Sequence, residues 1–254
     1  MSSPLSTTAA APPSPAPARR AAAASVPLMP IALFVGGHVV LGYLMRLIPI
    51  VATLHALGCL AAGMFIAARG RRHQIAYVVA YIAGSEVLWR MSRASIVWEY
   101  GKYAASAVMI VALLRMPPRR NIRLAIGYFA LLLPSAALTL TSLSPDLARQ
   151  QLSFNLSGPL ALMLSVLFFS NTRLTAEQIT NTFFAVLGPI VGIATLVYAS
   201  TVAAQNLEFT GQSNAVTSGG FGPNQVSAML GLGLLLSLLM LLERRQSWRL
   251  KGPL

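Results

Sequence analysis

Long apolar runs separated by short, mostly basic polar segments make up this chain from residue 28 onward. A helix that crosses a bilayer needs ~20 mostly apolar residues at about 1.5 Å rise per residue. By that measure eight helices are predicted, over about 28 to 45, 49 to 67, 74 to 89, 100 to 115, 122 to 141, 152 to 170, 183 to 203 and 226 to 242. The first two are parted only by a tight turn around Arg46 and Pro49 and are expected to form a helical hairpin. The third and fourth are short. The expected fold is therefore all-α, a polytopic transmembrane helix bundle of about eight spans occupying residues 28 to 245.

Residues 1 to 27 are rich in Ala, Pro, Ser and Thr and cannot bury enough apolar surface to fold, so they are read as a disordered tail. Arg19 and Arg20 before an Ala run also fit a secretory or twin-arginine signal. The apolar run after Val26 is long enough to span and a second follows almost at once, which favours a retained first helix. Residues 246 to 254 form a basic end.

Composition agrees with a membrane location. Hydrophobic residues make up 56% of the chain and charged ones 10%, against roughly 25% in an average soluble domain. The net charge of +13 comes from clusters between apolar runs and does not line an aromatic-interleaved face, which argues against nucleic acid. It is better explained by topology. With the N-terminus in the cytoplasm, fourteen of the nineteen Lys and Arg fall inside and five outside (Arg46, Arg90, Arg93, Lys102 and Arg149), so both termini are predicted to be cytoplasmic. Cys59 is the only cysteine, which excludes an intrachain disulfide and a cysteine-based metal site.

That topology gathers the awkwardly placed polar residues on the outer side. Glu86 and Arg90 lie four apart, on one helical face, at the end of the third helix. An ionisable pair at such depth is costly and marks either a functional site or a structural ion pair joining helices three and four. Arg46, Arg90, Arg93 and Arg149 together suit a pyrophosphate, because guanidinium donates parallel hydrogen bonds and stays charged. Taken separately, Arg46 and Arg149 are better explained as interface anchors, and Trp89, Trp98, Tyr100 and Tyr103 fit an aromatic belt before any sugar-stacking role. Lys102 adds a further outer cation. An outer loop from Asp146 to Asn155 precedes Gly158 and Pro159, which signal a broken or kinked helix. His38, His55 and His73 show no metal-ligand spacing, and no nucleotide-binding loop or hydrolase motif is present.

Between the last two spans lies Ser218-Gly219-Gly220-Phe221-Gly222-Pro223-Asn224-Gln225-Val226-Ser227. Its glycines, the bend at Pro223 and the amides of Asn224 and Gln225 fit either a polar-ligand loop or an ordinary turn before a helix.

Four segments together resemble the N-terminal half of bacterial O-antigen ligase-like membrane proteins: Gly84-Ser-Glu-Val-Leu-Trp-Arg90, Trp98-Glu-Tyr-Gly-Lys-Tyr103, Phe154-Asn-Leu-Ser-Gly-Pro-Leu160 and the 218 to 227 segment. The resemblance, which covers about residues 28 to 245, implies about a dozen helices in the full family plan. It also implies transfer of a glycan from an undecaprenyl-pyrophosphate carrier to an acceptor at the outer face of the bacterial inner membrane, without metal, cofactor or nucleotide sugar. Arg90, Arg93 and the Gly219, Gly220, Asn224 and Gln225 loop would then lie by the pyrophosphate or glycan. The family's large outer loop and further helices have no counterpart before Leu254, so the chain is expected to be an incomplete half, with a second membrane polypeptide as a candidate partner. Glu86, Glu99 and Glu208 are the available bases, none of them convincing. A transporter or flippase, or a non-catalytic membrane subunit, are the competing readings.

Overall fold

The computed structural model describes residues 28–70, 72–116, 123–204 and 213–249; the 1 to 27 tail and Glu208 lie outside them. The described chain is all-helical: α1 (Leu28–Leu47), α2 (Pro49–Ala68), α3 (Arg72–Met91), α4 (Tyr100–Leu114), α5 (Arg123–Ala130), α6 (Leu133–Ser142), α7 (Pro145–Ser170), α8 (Ala176–Ala203) and α9 (Pro223–Arg249). A single 3₁₀ turn, Val216–Ser218, precedes α9.

Among the described residues six segments are long and apolar enough to cross a membrane: α1, α2, α7, α8, α9 and the combined Arg123–Ser142 stretch. This is the build of a multi-pass membrane protein. Of the eight expected spans, α4 has 15 residues and falls short of the ~20 required. α3 has 20 residues and so is not short, but it carries Glu86 and Arg90 among its apolar positions. α3 tolerates that polarity because it is the central helix, packed against α2, α4 and α8, with ten of its residues buried.

The other differences from expectation have local causes. The fifth span is broken at Leu131–Leu132 because Pro134 has no N–H to give Ala130 and its ring crowds that carbonyl. α7 begins at Pro145, so the Asp146 to Asn155 stretch expected as a loop forms its first turns. The helix also continues through Gly158 and Pro159 without a break. α8 starts earlier than expected because Thr175 and Gln178 form a reciprocal capping box, Gln178 N donating to Thr175 Oγ1 at 3.2 Å.

Ile48 alone separates α1 from α2, and both helices reach Tyr81 of α3 through His38 and His55. The main partner of α1 is α8, not α2. Their crossing is built from Gly188-Pro-Ile-Val-Gly192 on α8, a small-xxx-small pattern, set against His38 and Gly42 on α1. A methyl group on Gly42 would stand 2.9 Å from Gly192 Cα, and one on Gly84 of α3 would stand 3.0 Å from the Val186 carbonyl oxygen of α8. In lipid, where burial of apolar surface gives helices little reason to associate, such close backbone approach supplies the packing.

Gly42→Ala should therefore destabilise the bundle by about 1–3 kcal/mol, since the obstacle is backbone and cannot swing away. Gly36→Ala, on the same helix with nothing within 4 Å, should be neutral or gain up to about 1 kcal/mol of helix propensity. Thermal unfolding of the two variants in detergent checks the contrast.

Candidate functional site

The C-terminus of α3, the start of α4, the first turns of α7 and the start of α9 meet at one end of the bundle. Arg90 joins α3, the start of α4 and α9, and Glu99 brings in α7. Arg90 Nη2 donates to Glu86 Oε1 one helical turn back and to the carbonyl oxygen of Trp98. The same nitrogen lies 3.7 Å from Glu99 Oε1, and Nη1 donates to Gln225 Oε1 at 3.4 Å. The guanidinium carbon also sits 4.4 Å from the centre of the Trp98 ring, whose other neighbour is Phe221 at 6.1 Å.

Glu99 is 2% exposed and receives Lys102 Nζ and, at 3.3 Å, Ser157 Oγ from α7. Glu86, Arg90, Glu99 and Lys102 thus form two acids and two bases whose charges cancel. α4 begins close to Glu86 because Gly101 has no Cβ: one would stand 2.8 Å from that of Glu86.

Arg46 and Arg93 lie beside this network and, among the described residues, form no ion pair. Arg46 Nη1 donates to the Met91 carbonyl oxygen at 2.7 Å, at the negative end of the α3 dipole. Its Nη2 faces Gly220, 3.8 Å from where a Cβ would be. Gly219 and Gly220 both have positive φ, of 72° and 79°, closing the turn against Met91. Arg93 ends α3 in a Schellman arrangement, with Arg93 N bonded to Arg90 O and Ala94 N to Trp89 O, both at 3.0 Å. It occupies the left-handed position, φ 55°, where glycine is usual. An arginine there costs about 1–2 kcal/mol, which points to a use for its exposed side chain.

A cleft of about 530 Å³ opens alongside, lined by Trp98, Glu99, Gln150, Gln151, Ser153 and Phe154. Tyr103 bridges its rim through a 2.6 Å contact with Ser153 Oγ. Aromatic faces, two amides, a hydroxyl and a carboxylate suit a ligand with hydroxyls on one side and C–H surface on the other.

The structure brings together Glu86, Arg90, Lys102 and Gln225, and sets Arg46, Gly219 and Gly220 beside them. Arg149 and Asn224 are exposed, Arg149 one residue before the cleft-lining Gln150. Asn224 and Gln225 belong to the first turn of α9, not to a loop as the Gly/Pro pattern implied, because Pro223 is preset for the first helical position. Glu99 emerges as the most buried acid of the group, and Ser153 and Ser157 as its α7 complement. The i, i+4 spacing of Ser153 and Ser157 would have placed them on one face, had 146 to 155 been read as helix. No protein family, curated protein or solved structure matches the chain.

Arg90→Ala should lower stability by about 3–5 kcal/mol, because it leaves the buried Glu99 and Glu86 short of a countercharge. Arg93→Gly should do the opposite and raise stability by about 1 kcal/mol through relief of the left-handed backbone. Denaturant or thermal melts in one detergent, read side by side, check both signs.

Proposed function

We propose that this chain is an O-antigen ligase-like membrane protein that holds a lipid-linked glycan at the outer face of the bacterial cytoplasmic membrane. In this reading α3 and α4 complete a set of eight spans, both termini face the cytoplasm, and the Arg90 end of the bundle faces outward. The observation that carries it is the adjacency of two differently equipped surfaces. Among the described residues Arg46 and Arg93 pair with no carboxylate, which leaves their charge suited to a pyrophosphate. The Trp98–Gln150–Gln151 cleft offers the stacking face and amides that a sugar needs.

This division of labour alters the role of Arg90. Its charge is matched by Glu86 and Glu99, so it acts as the post that fixes Trp98 and Gln225 between the two surfaces. Glu99 faces the cleft but is engaged by Lys102 and Ser157, which fits holding the glycan better than taking a proton from an acceptor. Transfer itself would require a base other than the engaged Glu99.

Purified chain in nanodiscs should bind undecaprenyl-pyrophosphate, and Arg46→Gln or Arg93→Gly should each weaken binding by roughly 10- to 100-fold, the value of a charge-assisted hydrogen bond. Gln150→Ala with Gln151→Ala should weaken binding of the glycan-loaded carrier while leaving the bare carrier unaffected. Unchanged carrier affinity in a stabilised Arg93→Gly protein would overturn the reading. In a Cys59→Ser background, Arg93→Cys should react from outside with a membrane-impermeant thiol reagent and Arg173→Cys should not. The reverse labelling would invert the proposed orientation.

A further inference from the structure

At the opposite end of the bundle three arginines converge on the turn between α2 and α3. Arg69 and Arg72 flank it, three residues apart, with Gly70 at φ 71° making the reversal. Arg115, at the end of α4, reaches the same place: its Nη1 donates to the carbonyl oxygen of Ala68, the residue before Arg69. Arg72 Nη1 donates to the Asn171 carbonyl oxygen at 3.3 Å, so the C-terminus of α7 joins the group. Arg69 lies over the Phe65 ring at 3.9 Å.

Helix ends alone do not require three guanidinium groups here. Arg72 and Arg115 each use one of five N–H donors on a helix-terminal carbonyl, which orients the remaining donors. Among the described residues no carboxylate pairs with Arg69, Arg72 or Arg115, in contrast to the opposite end, where Arg90 and Lys102 are both matched. Three cations around one turn repel one another unless an anion lies between or over them. Guanidinium is the side chain best shaped for phosphate oxygens.

The apolar residues beside the arginines narrow the choice of phosphate. Leu114, immediately before Arg115, is 81% exposed and Phe65, beneath Arg69, is 56% exposed. Cation and bare hydrocarbon therefore stand one above the other, the profile of a phospholipid with its headgroup over its acyl chain. A free phosphate would use only the upper half.

We infer that the α2–α3 turn, with Arg115, is a binding site for an anionic phospholipid, its phosphodiester on Arg69, Arg72 and Arg115 and its chains along Phe65 and Leu114. The site does not depend on the glycan reading, because it uses none of the residues at the Arg90 end.

Native mass spectrometry of the full chain, released from micelles with phosphatidylglycerol or phosphatidylcholine of identical acyl chains, tests it. Phosphatidylglycerol should be retained roughly 100-fold better, from about 1 kcal/mol for each of the three arginines near the headgroup. Arg69→Gln, which removes no described hydrogen bond, should cost about fivefold of that preference. Arg69→Gln combined with Arg115→Gln should leave only the roughly fivefold preference expected from Arg72 alone. Equal retention by the unaltered chain would reduce the arginines to interface anchors and overturn the inference. So would displacement of the lipid by millimolar inorganic phosphate, which would indicate a free-anion site, or an intact preference in a folded double variant.

Discussion

A guanidinium enclosed by protein must have its charge met by groups fixed in place, since the cost of an unmatched buried ion is several kcal/mol. Arg90 meets that demand with Glu86 from its own helix and Glu99 from the segment leading into α4. Much follows from this pairing. Glu99 is buried and takes Lys102 and Ser157, which ties α4 to α7. Gly101 has no side chain where Glu86 needs the space. Trp98 is held by its carbonyl and its ring, and Gln225 brings the first turn of α9 to the same guanidinium. One matched charge thus sets the positions of four elements.

The network also sorts the cations of this end of the bundle. Two acids and two bases pair among themselves, whereas Arg46 and Arg93 meet no carboxylate among the described residues. Both are attached to the end of α3, one through a bond to its last carbonyl and one through its own backbone. The charged residues of this region therefore divide into a paired set that joins the helices and an exposed pair, Arg46 and Arg93, outside it.

The helical plan was readable in the sequence because lipid enforces it: each apolar run had to be a helix, and the order of the helices follows directly. The Glu86–Arg90 pair was readable from its four-residue spacing. The failures were local. Pro134 stands inside an unbroken apolar run, yet its missing N–H splits the fifth span. Polar residues 146 to 155 read as a loop, yet Pro145 and Asp146 are a favourable start for a helix. The Thr175-to-Gln178 capping box was present in the letters and would have moved the start of α8. Other features could not be read from one chain: that Arg90 meets Gln225 across 135 residues, or that Arg93 takes a glycine's conformation, depends on how helices distant in sequence come together.

The backbone of Arg93 has a thermodynamic consequence. A left-handed arginine stores about 1–2 kcal/mol that is released when the turn opens, so the end of α3 is easier to fray than its burial would imply. Any anion that grips the Arg93 side chain in its closed position must favour that conformation by the difference in its affinity for the two states. Occupancy and order of the turn are then two readings of one equilibrium. The amide protons of Arg93 and Ala94, bonded to Arg90 and Trp89, would report how full the site is by how slowly they exchange with solvent.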